Sequence, residues 1–223
     1  MRFAGITCLT LILSGMSLPA RAVDYSVEPL DQPAPSGELS ESVAAQLSAK
    51  GFTVKKGKRT LCEIWPCKTW PVKADFKRTS SLIYPLEFGE LIGVVHFARK
   101  AGDFRGQDIP KGTYTLRYAL QPQDGNHIGT SDTRDFILLL PATEDQEPEA
   151  MSKEKMFSRS PQVAGGTHPT MLSLLFPGEG EAPEMVHDES RELWSLKFSN
   201  PTSAGGKQGR LTLQLVLVGR APE

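Results

Sequence analysis

Alternating hydrophobic and polar residues dominate the chain from residue 51 onward and predict a protein built mostly of β-strands. In the clearest run, residues 113–120, the side chains of Tyr114, Leu116 and Tyr118 fall on one face of a strand. Residues 211–218 alternate in the same way, and residues 136–140 are apolar throughout, which is typical of a central strand covered on both faces. Further strands are predicted at residues 52–55, 60–65, 82–86, 91–97, 171–176 and 193–198, with a glycine-rich hairpin loop at 203–209.

Two segments depart from this strand pattern. Ser40 is a suitable N-cap for a short helix, whose apolar stripe is Val43, Ala44 and Leu47 and whose C-terminal stop is Gly51. Residues 143–160 are rich in charge and methionine, which favours a surface helix or loop excursion between strands. About eight or nine strands, one short N-terminal helix and no regular βα alternation predict a mainly β protein, an antiparallel β-sandwich.

The N-terminus predicts export. Arg2 supplies a short positive region, residues 3–16 form an apolar stretch too short to span a bilayer comfortably, and Ala20 and Ala22 are the small residues that signal peptidase requires. We therefore expect residues 1–22 to be a cleaved signal peptide and residues 23–38, rich in proline and acidic residues, to be an extended leader. Residues 39–223 then form a single β-sandwich domain, located in the periplasm or secreted, with no membrane span after cleavage.

Charge and cysteines refine this picture only slightly. The formal net charge of the chain is −1, and both signs are scattered along it, so nothing indicates a nucleic-acid partner.

Cys62 and Cys67 remain after the signal is removed, and an oxidising compartment makes a disulfide between them one interpretation. Because they lie five positions apart, Pro66 would have to turn the chain for the sulfurs to meet, so free thiols are the alternative. A redox role would favour the shorter C-x-x-C spacing.

One stretch resembles a known group of sequences. The run IPKGTYTLRY from Ile109, with the later Asp124-Gly125, His127 and Arg134-Asp135-Phe136, is similar to a family of uncharacterised exported bacterial β-rich proteins. The resemblance runs from the helix near Ser40 to the C-terminus. It implies export and a β-rich fold, and it transfers no activity and no site residue.

The densest polar cluster is the segment 124–135 between two predicted strands, and it is the candidate binding site. Its candidate ligand-contacting residues are Asp124, Asn126, His127, Asp132, Arg134 and Asp135. His127 and Asp124 are the candidate ligands of a divalent metal, and His127 is also a candidate general base. The alternative is a structural loop, because Asp-Gly and Asn are common turn formers and Arg134 is suited to pairing with an acid across the sheet. A calcium-loop spacing with a closing Glu is absent from the sequence.

Other chemistry-bearing residues have simpler interpretations. A zinc site would need His96, His168 and His187 to converge, whereas His96 lies in an apolar run that favours a hydrogen-bonded core or interface histidine. Trp65 and Trp70 are candidates for an aromatic platform or for the core, and Trp194 is predicted in the core. No G-x-S-x-G elbow, H-E-x-x-H motif or phosphate loop is present.

Three functions are consistent with these observations. The first is a non-enzymatic exported protein that binds an envelope or extracellular ligand or partner. The second is a metal-dependent enzyme or metal-binding protein that uses the segment 124–135. The third is a structural component of the envelope. The sequence names no ligand and no cofactor.

Overall fold

The computed structural model describes residues 24–124 and 131–221, and the predicted signal peptide lies outside them. The strands are β1 (Tyr25–Leu30), β2 (Gly51–Lys56), β3 (Arg59–Pro66), β4 (Trp70–Pro71), β5 (Leu91–Phe97), β6 (Ala101–Gly102), β7 (Asp108–Ile109), β8 (Gly112–Leu120), β9 (Asp135–Pro141), β10 (Met171–Leu175), β11 (Glu184–Asp188), β12 (Leu193–Ala204) and β13 (Lys207–Val218). The helices are α1 (Glu41–Gln46), α2 (Lys153–Arg159) and α3 (Pro161–Ala164).

The strands form one long sheet that curls back on itself. Its order is β1-β2-β3-β5-β8-β9-β10-β13-β12-β11, with β4 attached in parallel to β12 and with β6 and β7 paired separately. Strand β10 joins the two halves, since Met171–Ser173 pair with β9 whereas Leu174 and Leu175 pair with β13. The protein is therefore mainly β, and the predicted β-sandwich class is confirmed as a curled, two-layered sheet.

The main core lies between the two halves of the sheet. Val54 and Ile64 from one half and Leu196 from the other are fully buried, and the rings of Phe52 and Phe198 meet across the layers at 5.5 Å. Trp65 and Trp70 are 2% and 0% exposed, and their indole N–H groups donate to the carbonyls of Gln32 and Ile92. Of the two interpretations for these tryptophans, core packing is correct.

The charged excursion covers the outer face of the central strands. α2 begins at the N-cap Ser152, whose hydroxyl accepts a hydrogen bond from the amide of Lys155, and Met156 is its buried residue. Met156 and Met151 pack with Leu138 and Leu140 in a second, smaller cluster. Both faces of β8 and β9 are therefore buried, which explains why residues 136–140 are apolar at every position.

Most predicted strands are confirmed, and three predictions about local structure are wrong. The proposed leader contains β1, which pairs with β2 over its whole length and places Leu30 in the core, so residues 25–30 belong to the folded domain. Residues 82–86 form no strand, because the amides of Ile83 and Tyr84 donate to a side chain instead of a ladder. The hairpin loop at 203–209 shrinks to a turn at Gly205 and Gly206, since β12 and β13 pair almost to the tip.

Of the two interpretations for Cys62 and Cys67, the structure has free thiols, and both are buried. β3 stays extended as far as Pro66, so no turn brings the two sulfurs together. The thiol of Cys67 donates to the carbonyl of Leu91 at 3.3 Å. Burial raises the pKa of the Cys67 thiol to about 12, and burial likewise raises the pKa of Cys62.

Among residues 24–124 and 131–221, no helix is long and apolar enough to span a membrane.

Candidate functional site

The predicted site at 124–135 is only partly visible. Asn126 and His127 lie outside the described residues, so the proposed metal pair of His127 and Asp124 is untested. Asp124 is exposed at the near end of the segment, and the far end runs from Ser131 into β9. Ser131 and Thr133 bond to β10, through the hydroxyl of Ser173 at 3.3 Å and the carbonyl of Leu174 at 2.7 Å. The far end of the segment is thus fixed to the sheet.

Asp135 is a structural residue and not an exposed ligand contact. Its carboxylate is 0% exposed and accepts hydrogen bonds from the amides of Ile83 and Tyr84 and from the hydroxyl of Tyr118. Burial raises the pKa of Asp135, against the opposing effect of these donors. The prediction that Asp135 binds a ligand is wrong, because its carboxylate oxygens already accept hydrogen bonds from within the protein. Two of these bonds fix the backbone of Ile83 and Tyr84, which lie outside any strand.

Arg134 and Asp132 take different positions. Within the part of the chain that the structure describes, Arg134 forms no ion pair with an acid across the sheet; its Nε donates to the carbonyl of Gln121 at 3.1 Å, and its amide donates to the carbonyl of Ser81 at 2.7 Å. Asp132 is exposed and accepts from Arg191 at 2.6 Å. Arg191 lies in the turn between β11 and β12, where it also binds Asp188 at 2.6 Å. Hydrogen bonds from Ser190 and Arg191 lower the pKa of Asp188 to about 2.

The other histidines give no metal centre. His96 is half-buried, and its Nδ1 bonds the hydroxyl of Thr113 at 3.0 Å, as predicted for a hydrogen-bonded histidine in an apolar strand. His187 stacks on Trp194 with ring centroids 4.1 Å apart. Within the described ranges, no group of three or more His, Cys, Asp or Glu side chains is placed to hold a metal ion.

An open cleft of about 850 Å³ lies at one end of the curled sheet, and we call it the mouth cleft. Neighbouring strands of the sheet run antiparallel, so strand starts and strand ends alternate along each edge. This end of the sheet holds the first residues of β1, β3 and β12 and the last residues of β5 and β13. The lining residues are Tyr25, Leu61, Lys100, Ala101, Gly102, Asp103, Gly106, Asp108, Arg191, Glu192, Leu217, Val218, Gly219, Arg220 and Ala221. The mouths of curled and closed sheets are frequent positions for ligand sites.

One wall of the mouth cleft is the small hairpin of β6 and β7, which Asp103 holds in shape. The carboxylate of Asp103 is 1% exposed and accepts from the amides of Arg105, Gln107 and Met171 and from the side chain of Gln107. Four hydrogen bonds satisfy this carboxylate inside the protein. Asp103 therefore contributes rigidity to the wall and offers little to a ligand.

Another part of the lining links the mouth cleft to the predicted segment. Arg191 lines the cleft and its guanidinium binds Asp132, so the segment 124–135 contacts the lining of the cleft through Asp132. Asp132 is thus the predicted residue for which the described structure shows a contact with the lining of the cleft.

An aromatic row crosses the sheet edge beside the mouth cleft. Trp194 packs against Tyr25 of β1 at 5.3 Å and against His187 of β11 on its other side, and Lys56 Nζ lies 5.2 Å from the centre of the Tyr25 ring. Trp194 is only half-buried, so its predicted place in the core is wrong. The row brings together the two edge strands of the curled sheet, β1 and β11.

Sequence reasoning missed the mouth cleft because its lining comes from five separate parts of the chain. None of these parts is a polar cluster by itself. One signal was present in the sequence, in the form of two basic runs. The first is Lys55-Lys56-Gly57-Lys58-Arg59 at the turn before β3, and the second is Arg99-Lys100 just after β5. These runs come together because β3 pairs with β5. Finding it required the strand order.

No family model, curated protein or solved structure matches this chain. The resemblance to uncharacterised exported bacterial proteins therefore stays a prediction.

Proposed function

We propose that this chain is an exported, non-enzymatic binding protein of the periplasm or the extracellular space, and that its ligand occupies the mouth cleft. The single observation that supports the proposal is the cleft itself. Its volume of about 850 Å³ lies within the range of small-molecule sites, which is roughly 300–1,000 Å³.

The chemistry of the lining also favours a ligand with both apolar and polar groups. Leu61, Leu217 and the ring of Tyr25 offer apolar surface, whereas Lys100, Arg191 and Glu192 offer charged groups around it. Asp103 and the paired strands hold the surrounding backbone in place, so the site is formed before the ligand arrives and binding costs little ordering entropy.

A steric block tests the proposal. At Gly102 an added Cβ would meet nothing closer than the Gln107 carbonyl at 3.9 Å, so Gly102→Trp projects a large side chain into the cleft without backbone strain. Gly37→Trp is the matched control, because an added Cβ there meets nothing within 4 Å and Gly37 does not line the cleft.

The measurement is the melting temperature of the wild-type protein and both variants with a panel of envelope and extracellular glycans and peptides. A ligand of the cleft raises the melting temperature of the wild type and of Gly37→Trp, because it binds only the folded state, and fails to do so for Gly102→Trp. A ligand that stabilises Gly102→Trp as much as the wild type would place the site elsewhere. A lack of response in every panel member would favour a structural envelope role.

A further inference from the structure

From the charge around the mouth cleft we infer that the ligand is an acidic polysaccharide, whose anionic groups bind a basic rim formed by Lys56, Lys58, Arg59, Arg99 and Lys100. The inference rests on the proposed function, since it names the class of ligand for the same cleft.

The strand register places this basic rim beside the cleft. Tyr25 pairs with Lys56, and Lys56 pairs with Arg59, so these three side chains lie side by side on one face across β1, β2 and β3. Leu61, two positions after Arg59 and therefore on the same face, lines the cleft, as does Tyr25.

The chain after β5 extends the rim on the next strand. The amide of Ala98 donates to the carbonyl of Leu61 at 3.1 Å, and Arg99 Nε donates to the carbonyl of Thr60 at 2.9 Å. Lys100 follows directly and lines the cleft. Positive side chains from two separate segments therefore meet along one side of the opening.

The rim holds more positive charge than its neighbours neutralise. Lys58 and Arg59 form no ion pair with any carboxylate in the described part of the chain, and all five rim residues are exposed. Lys100 pairs with Asp108 at 2.7 Å, and the side chains of both residues are exposed to solvent. Of the other acids at the cleft, Asp103 accepts four hydrogen bonds from the protein itself, and Glu192 is exposed.

This concentration is notable because the chain as a whole carries a net charge of −1. A local positive surface on a protein of slightly negative net charge attracts an anion to one position without binding anions everywhere. The wall of Tyr25, Leu61 and Leu217 supplies apolar surface for the carbon face of a sugar ring. An acidic glycan presents both chemistries with the spacing of successive rings.

Three oligosaccharides of equal length separate the components of the inference: tetragalacturonate, which carries carboxylates, sulfated cellotetraose, and neutral cellotetraose. Affinities are measured by calorimetry at low salt and in 0.5 M NaCl. We expect one or both acidic oligosaccharides to bind, the neutral one to bind at least tenfold more weakly, and high salt to weaken the acidic complex, because exposed charges are screened. The preferred acid identifies carboxylate or sulfate as the anionic group.

The double variant Lys56→Gln/Arg59→Gln should weaken the acidic complex by about tenfold. Its matched control is Lys207→Gln/Arg210→Gln, which also removes one lysine and one arginine from paired strands, but near the start of β13, at the opposite end from the cleft. Equal loss of affinity in both double variants would show unspecific attraction and overturn the inference.

The inference and the proposed function fail in different ways. Equal binding of neutral and acidic tetrasaccharides, sensitive to Gly102→Trp, would keep the cleft as a glycan site and overturn the acidic ligand. If none of the three bound but another ligand responded to Gly102→Trp, the inference would again be overturned and the proposed function would stand. Acidic binding that Gly102→Trp leaves unchanged would contradict the cleft for this ligand.

Discussion

Arg117 and Arg59 both lie on strands of the same half of the curled sheet, yet their surroundings give them different roles. Arg117 on β8 is 0% exposed. Its five N–H groups donate to the carboxylate of Asp145 and to the carbonyls of Gly89, Glu147 and Glu149. Arg59 on β3 is exposed beside the mouth cleft and has no carboxylate partner among the described side chains. A charge whose partners are all internal stabilises the fold, whereas one without partners is available to a ligand.

The difference arises from what covers each strand. The excursion that contains Asp145, Met151 and α2 lies over the outer face of β8 and supplies the partners of Arg117 other than the carbonyl of Gly89. Gly89 shows how closely this cover approaches, because an added Cβ there would lie 2.0 Å from the carbonyl oxygen of Met151. At the rim of the cleft, none of the described segments covers Arg59, which is exposed.

The largest expected effect is the loss of the buried ion pair. Arg117→Met leaves the carboxylate of Asp145 buried without its countercharge, so the free energy of unfolding should fall by about 3–5 kcal/mol. Urea denaturation followed by circular dichroism measures this change. Arg59→Met, the matched exposed change, should alter stability by about 0.5 kcal/mol or less. Similar effects of the two substitutions would remove the distinction between these arginines.

A smaller loss is expected at Asp135. In Asp135→Asn, one oxygen that accepts from a backbone amide is replaced by an NH₂ group, so a buried donor at Ile83 or Tyr84 loses its partner. The free energy of unfolding should fall by about 1–3 kcal/mol. Asp132→Asn, at an exposed ion pair, should cost about 1 kcal/mol or less. If Asp135→Asn were as stable as the wild type, the structural role assigned to this carboxylate would be wrong.

Glu90 should produce a modest pH dependence. Burial raises its pKa to about 7, with Arg117 opposing the shift and Glu87 adding to it. Between pH 4.5 and about 7, the folded state holds a proton on Glu90 that the unfolded state has released. The contribution of Glu90 to the free energy of unfolding is therefore fully present below pH 4.5 and is lost as the pH rises through about 7. Because Glu90 is only half-buried and solvent screens its charge, we expect the free energy of unfolding to fall by about 1 kcal/mol over this range.

Glu90→Gln removes this titration. The difference in unfolding free energy between wild type and Glu90→Gln should therefore change between pH 4.5 and pH 8, with the wild type losing relative stability at the higher pH. Urea denaturation at a series of pH values gives the comparison. A constant difference across this range would contradict the raised pKa.

The smallest effect concerns the two cysteines. Because Cys62 and Cys67 are buried and their pKa values are raised, neither should react with iodoacetamide at pH 8 in the folded protein, and both should react in urea. Mass spectrometry of the digested protein locates the modification. If the two residues stayed unmodified in urea and reacted only after reduction, the disulfide would be restored as the correct interpretation.

Much of the fold was predictable because its signals are local. The helix cap at Ser40, the alternation in β8 and the continuous apolar run of β9 each depend on neighbouring residues, and each prediction is confirmed. β1 escaped prediction because Pro29 and its exposed polar residues suit an edge strand as well as an irregular segment. The run 82–86 is apolar because most of its side chains are buried, and it is not a strand. Its amides at Ile83 and Tyr84 donate to Asp135, which lies about fifty residues later in the chain.

The site was less predictable because it depends on contacts between distant segments. A dense polar run such as 124–135 is visible in the sequence, but the burial of Asp135 depends on what packs over it. The mouth cleft combines Tyr25, Leu61 and Val218, which are unremarkable in their own segments and meet only through the curl of the sheet. Strand order, which the pattern of residues does not determine, positions the rim beside the cleft.

The most direct test of the mouth cleft is an amide chemical-shift titration of the isotopically labelled protein with the three tetrasaccharides. The account predicts that an acidic tetrasaccharide shifts the amides of Tyr25, Gly102 and Gly219 and leaves those of Lys207 and Arg210 unchanged, although β13 runs from Lys207 almost to Gly219. Shifts confined to the Lys207 end of β13 or to the excursion at 143–160 would contradict the mouth cleft as the binding site.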